Sequence, residues 1–165
     1  LEYNVKSEHF HVRSREESVC PFCGNRLQII GSRKRGLCKP DGTVVHLVIR
    51  RLRCIGCKHI HHELPDIVVP HKHYESEVIS KIISPVPDAM EDYPCEQSTA
   101  KRIKKWFSEL FDYIKRVIYK EVEPYKTYGS ICDRLKQLNR KKSNWLNGFI
   151  RWIVNSGRWQ HTRFA

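Results

Sequence analysis

Carboxylates are scarce in this sequence. Eighteen aspartates and glutamates stand against 30 lysines and arginines, giving a formal charge of +12 over 165 residues. The shortage is uneven: Arg26, Arg33, Lys34, Arg35, Lys39, Arg50, Arg51 and Arg53 share a span whose one acid is Asp41, and no acid follows Arg134. Between Glu63 and Glu96 the balance reverses, with Lys72 and Lys81 the only cations apart from histidine. Such a surplus speaks to partners and not to fold. Polyanions are the natural partners, nucleic acid first and an anionic membrane surface second. Long apolar runs are also missing. No stretch approaches the ~20 apolar residues that span a bilayer, and LEYNVKSEHFHVRSREES has no apolar segment of the kind a secretory signal needs. What is present, 40% hydrophobic and 10% aromatic residues, excludes wholesale disorder.

Seven cysteines could mark a disulfide scaffold, but an odd count without a secretory signal argues otherwise. Their spacing gives a better account. Cys20-Pro-Phe-Cys23-Gly and Cys54-Ile-Gly-Cys57-Lys are two CxxC knuckles, each able to aim two thiolates at one ion, with a glycine after or between them that lets the backbone curl beneath it. Together they predict a closed four-thiolate site for one structural Zn2+, with no open position for substrate. Apparent binding of roughly 10–16 kcal/mol would be folding energy for so small a module. The span between the knuckles reads as a long hairpin, Leu27 to Leu37 and Val44 to Arg53, around the turn Lys39-Pro40-Asp41-Gly42. Val45, Leu47 and Ile49 alternate on one face, and Leu52 suggests a bulge at Arg50-Arg51. This is the pattern of a zinc ribbon. Cys38, Cys95 and Cys132 lack partner spacing and read as non-ligands. Arg33, Lys34 and Arg35 on one strand, with Arg50, Arg51 and Arg53 on the other, are candidate DNA contacts, since a pinned basic ribbon can grip a phosphate backbone or enter a groove.

His59-Ile60-His61-His62-Glu63-Leu64-Pro65, followed by His71 and His73, admits three readings. The imidazoles could replace a zinc cysteine, which the second CxxC makes unnecessary. They could resemble an HNH-type metal-dependent nuclease at His61, His62 and Glu63, but Pro65 and Pro70 break the segment that should follow, and no Asn appears between Glu63 and Asn139. They could also form a structural connection whose imidazoles bond backbone or phosphate. The expectation is no enzyme.

From Tyr74 the period becomes helical. Val78, Ile79, Ile82 and Ile83 form a stripe stopped by Pro85 and Pro87. A long helix is expected from Gln97, with Ala100, Ile103, Phe107, Leu110, Phe111, Ile114, Val117 and Ile118 inward. Its opening residues Gln97, Ser98, Thr99, Lys101, Arg102 and Lys105 suit bases or phosphates, so the pair reads as helix-turn-helix-like, with a connection of about ten residues that exceeds the tight motif. The same stripe could instead pair helices, with itself or with a partner protein. Two further helices are expected, Ser130 to Asn139 and Ser143 to Ser156, the latter capped by Ser143, closed by Gly157 and burying Leu146, Phe149, Ile150 and Ile153. The basic, aromatic tail to Ala165 could follow a phosphate backbone or tuck Trp159 and Phe164 into the helical core.

CPFCG, IIGSRKRG, VIRRLRCIGCKHIHHELPDIVVP, STAKRIKKWF and NSGRWQHTRFA together resemble a family of uncharacterised bacterial zinc-ribbon, helix-turn-helix proteins encoded by mobile elements near transposase genes. The resemblance implies DNA binding in the service of transposition or its regulation, in the bacterial cytoplasm and at the nucleoid, with no catalytic triad. The expected architecture is α+β: a flexible segment over residues 1–14, a zinc ribbon over 15–70, and a helical domain with a basic tail over 71–165. The expected partner is double-stranded DNA through the ribbon and the helix beginning at Gln97, with a transposase or a second copy engaging the long helix, and no membrane. The alternatives are the HNH-like nuclease and a protein-interaction adaptor for a transposase.

Overall fold

A computed structural model of the protein describes residues 2–4, 8–15, 17–84, 93–121, 145–157 and 159. Among the described residues, five strands, β1 (Glu2–Asn4), β2 (His9–His11), β3 (Leu27–Cys38), β4 (Val44–Cys54) and β5 (Ile60–His62), precede three helices, α1 (Ser76–Ile83), α2 (Gln97–Glu121) and α3 (Trp145–Asn155). The chain is α+β. Its sheet is mixed, with β4 at the centre: β3 runs antiparallel on one side, and parallel β2 and antiparallel β5 share the other.

The long hairpin forms as its alternation requires. Leu37 pairs with Val45 and Arg35 with Leu47, so Leu37, Leu47 and Ile49 lie on one face and are essentially fully buried. Val12 and Val68 complete this core, with Phe10, Val45, Leu64 and Ile67 packed against it. At the turn, Asp41 accepts from both the backbone N–H and the hydroxyl of Thr43, at 2.9 and 2.6 Å, while Gly42 takes a φ of 81°. The bulge lies on the opposite strand from the one expected. The register slips between Ile29 and Gly31 on β3, facing Leu52 and Arg51, and Gly31 absorbs the distortion at a φ of 146°.

The first 14 residues, expected as a flexible segment, instead supply β1 and β2. Phe10 aligns with Leu47 and His11 with Val48, and Val12 donates to the Val48 carbonyl at 3.0 Å. The alternation of Phe10 and Val12 is the physical reason, because both side chains find the hairpin's apolar face.

The helices share a second core. Val78, Ile79 and Ile82 of α1, Ala100, Ile103, Trp106, Leu110 and Ile114 of α2, and Leu146, Phe149, Ile150 and Ile153 of α3 pack together with Val69. Trp106 is buried and Phe107 half-buried, so the inward stripe is one residue wider than Phe107 alone suggests. Trp159 also packs against this core, as one of the two readings of the tail has it. The expected helix Ser130 to Asn139, the Ser143 cap, most of the connection before α2 and the rest of the tail lie outside the described residues. The ribbon and the helices are in contact. Cys38 donates to the His73 carbonyl (2.7 Å) and accepts from Glu75 N–H (2.9 Å), and Arg151 of α3 reaches Asp66 at 3.5 Å.

Candidate metal centre and basic face

Two turns build the metal centre. In the first, Gly24 N–H returns to the Cys20 carbonyl at 2.8 Å, and Gly24 sits at a φ of 70°. That is the left-handed position a glycine takes without penalty. In the second, Lys58 takes the equivalent position at φ 64°, and its Nζ donates to the Ile55 carbonyl at 2.6 Å. Gly56 serves a different purpose, since a Cβ there would stand 2.7 Å from Asn25 Nδ2. The turns are tied together by Ile55 N–H on the Arg26 carbonyl (3.1 Å).

The Sγ atoms of Cys20, Cys23, Cys54 and Cys57 all lie within 4.8 Å of one another. Cys20 and Cys57 approach to 3.5 Å, and Cys23 and Cys54 to 3.4 Å. Thiolates held at about 2.3 Å from one tetrahedral zinc stand about 3.8 Å apart, so the donor set fits that ion. Its protonation chemistry fits as well. The Asn25 side-chain amide and backbone, with Cys54, pull Cys23 down to about 5. At Cys57 the His59 backbone acts to lower the pKa, but burial and the neighbouring sulfurs outweigh it and push the thiol up to about 12. Four sulfurs this close cannot all ionise without a cation among them. Two nitrogens lie just outside the thiols: Asn25 Nδ2, which donates to Cys23 Sγ at 3.4 Å, and His61 Nε2, 3.5 Å from Cys20 Sγ. The Phe22 ring covers His59 and His61, with centroids at 4.9 and 5.8 Å. Asn25 went unrecognised at the level of sequence, although its place two residues after the first knuckle was a usable signal. Cys38 and Cys95 stand apart from the cluster, and Cys132 lies outside the described residues.

The histidine string divides. His61 pairs with Leu52 and turns toward Cys20, while His62 pairs with Arg51. Glu63 is buried. It receives Arg50 through two bonds, Nε at 2.5 Å and Nη2 at 2.6 Å, and the Ser14 backbone N–H at 2.8 Å. Burial acts to raise its pKa, yet the Arg50 guanidinium and the Ser14 N–H prevail and hold it below the usual value. Glu63 therefore fastens the N-terminal segment to β4.

The candidate DNA contacts also divide. Arg50 belongs to Glu63, and Arg35 points inward, donating to the carbonyls of Val69 (3.0 Å) and Lys72. Both guanidiniums are engaged within the protein. Arg33, Lys34 and Arg53 are exposed and Arg51 is half-buried. On α2, Gln97, Ser98, Lys101, Arg102 and Lys105 are exposed and Thr99 is half-buried, accepting from Arg102 at 3.1 Å. Ser98 meets Glu96 at 3.4 Å and Lys105 meets Glu109 at 4.0 Å.

Charges link the two groups. Burial lowers the pKa of His62, and Arg33, Arg51, His71 and Arg35 lower it further, so each charged group that acts on this ring is a cation. Lys72 is lowered by burial and then by Arg102, and its ammonium lies 4.4 Å from the centroid of the Trp106 ring. Arg35, which acts on His62, also donates to the Lys72 carbonyl, and Arg102 at the start of α2 acts on Lys72. No helix among the described residues is long and apolar enough to cross a membrane.

Fold and site together define an α+β protein with a four-thiol centre suited to zinc, carried at one end of a long hairpin. The chain belongs to the family of a domain of unknown function, DUF6431, which matches residues 20–106, just over half its length. No curated protein and no solved structure matches it.

Proposed function

We propose that the protein is a zinc-stabilised, duplex DNA-binding protein, acting as an accessory or regulator of transposition. What supports this reading is that Arg33 and Arg51 act on His62 while Arg102 acts on Lys72, two groups of cations drawn from segments far apart in sequence. Cations so placed neutralise backbone phosphates and release the counterions bound to them. Zinc holds the hairpin end that presents the arginines, and it takes no part in chemistry. Arg33, Lys34, Arg51 and Arg53 supply position. Gln97, Ser98, Thr99, Lys101, Arg102 and Lys105 supply contacts at the start of α2, where Gln can pair with adenine and Arg with guanine. The transposition context rests on the resemblance of the CPFCG, RRLRC and HHELPD blocks alone.

Against the nuclease alternative weighs Glu63, which already accepts bonds from Arg50 and the Ser14 N–H. The experiment is selection of a random duplex library by the zinc-loaded protein at physiological salt. A retained consensus that shifts in Arg102→Ala supports a site-reading protein. No retention at all removes the reading.

A further inference from the structure

The sheet face beside His62 is organised more specifically than a general basic surface. Cross-strand register sets Arg51 directly against His62 on one side and Gly31 on the other, and Arg33 is two residues beyond Gly31. Side chains alternate along a strand, so Arg33, Arg51 and His62 project from the same face. Gly31 places no side chain beside Arg51, and a Cβ built there would meet nothing within 4 Å. The bulge that sets Gly31 opposite Arg51 therefore leaves the β3 side of Arg51 open. Arg35 and His71 also act on His62, and no acid among the described residues does. Glu63, the next residue, is turned away and committed to Arg50.

We propose that Arg33, Arg51 and His62 form a discrete site for one phosphate group, centred on Arg51. The site deepens the DNA-binding reading and rests on it for its biological ligand; its chemistry would serve a backbone phosphodiester or a free phosphate compound alike. Two guanidiniums supply paired N–H donors to oxyanions. His62 supplies the selectivity for conditions. Burial, then Arg33, Arg51, His71 and Arg35, disfavour its charged form in the empty site. An arriving phosphate reverses that balance by placing negative charge against the ring, which raises the pKa. Binding therefore takes up a proton, and affinity rises as pH falls. A one-proton linkage gives at most about one decade in affinity per pH unit.

The test uses the zinc-loaded full chain between about pH 6 and 8, in the range where histidine titrates. The His62 ring is followed by NMR, first with inorganic pyrophosphate and then with a short DNA duplex, while duplex affinity is measured by anisotropy across the same range. The expected result is an upward shift of the His62 titration with both probes, and an affinity that falls by about threefold or more toward pH 8. His62→Gln should flatten the pH dependence with zinc content and helical signal retained. His71→Asn, chosen because His71 sits at a φ of 62° that Asn tolerates, should leave most of that dependence in place. If pyrophosphate moves the His62 titration and the duplex does not bind, the phosphate site stands and the DNA reading falls. If neither probe moves it, or if His62→Gln keeps the wild-type pH profile, the site is wrong even where DNA is bound.

Discussion

The two ends of the β3–β4 hairpin are held by different physics. At the turn, Leu37 and Leu47 are buried at 0% and 1% exposure, and Cys38 is bonded to the segment leading into α1. At the other end Phe22, Ile55 and Ile60 are left 56%, 49% and 50% exposed, and four thiols take the place of a core. One end is folded by burial; the other gathers the four thiols that a bound metal would hold where apolar cover is missing.

The comparison breaks most sharply on loss of metal. Chelation, or Cys54→Ala, removes a binding energy of about 10–16 kcal/mol for structural zinc. Amide exchange should then become fast from β5 through both knuckles while the helical circular dichroism is largely kept. Uniform collapse of both ends would show that they fold as one unit. In the helical core, Leu110→Ala should cost about 2–5 kcal/mol in a denaturant melt, because the residue is buried among three helices. Zinc affinity should change little.

Between the ends lies the Arg50–Glu63 pair, with side chains 29% and 7% exposed. Glu63→Gln should cost about 1.5–3 kcal/mol. The sign of its pH dependence follows from the lowered carboxyl pKa. The stabilisation is present above the unfolded value of about 4.5 and is lost as pH falls through the folded value. The stability difference between wild type and Glu63→Gln should accordingly shrink below about pH 4.5, the ordinary glutamate value. A smaller effect comes from Gly157, at φ 70° with a would-be Cβ 2.9 Å from the Pro21 carbonyl oxygen. Gly157→Ala should cost about 1–2 kcal/mol and weaken zinc retention slightly, since the end of α3 rests on the first knuckle. Least of all, Lys34→Ala should alter stability by no more than about 0.5 kcal/mol.

Much of this was legible because it is periodic or carries fixed spacing. The two CxxC pairs, the alternation of Val45, Leu47 and Ile49, and the stripe Leu146, Phe149, Ile150 and Ile153 all occupy the structure as read. What escaped depends on contacts between distant segments. Nothing local tells Arg35 and Arg50 apart from Arg33 and Arg51; the carbonyls of Val69 and Lys72, and the carboxylate of Glu63, decide it. The bulge went to the wrong strand because Leu52 reveals that the register slips, not which chain carries the extra residue. Phe10 and Val12 were too few to announce a strand without the hairpin face they cover.

Under the proposed function, the cations of a zinc-held ribbon and of the start of α2 contact one duplex together. The most direct measurement is the affinity of the zinc-loaded protein for duplex DNA between about 50 and 200 mM salt. Contact with roughly six to ten phosphates predicts a fall of about three to five decades across that range. A complex whose affinity ignores salt, or a duplex that is not bound at the lowest salt, would contradict the account.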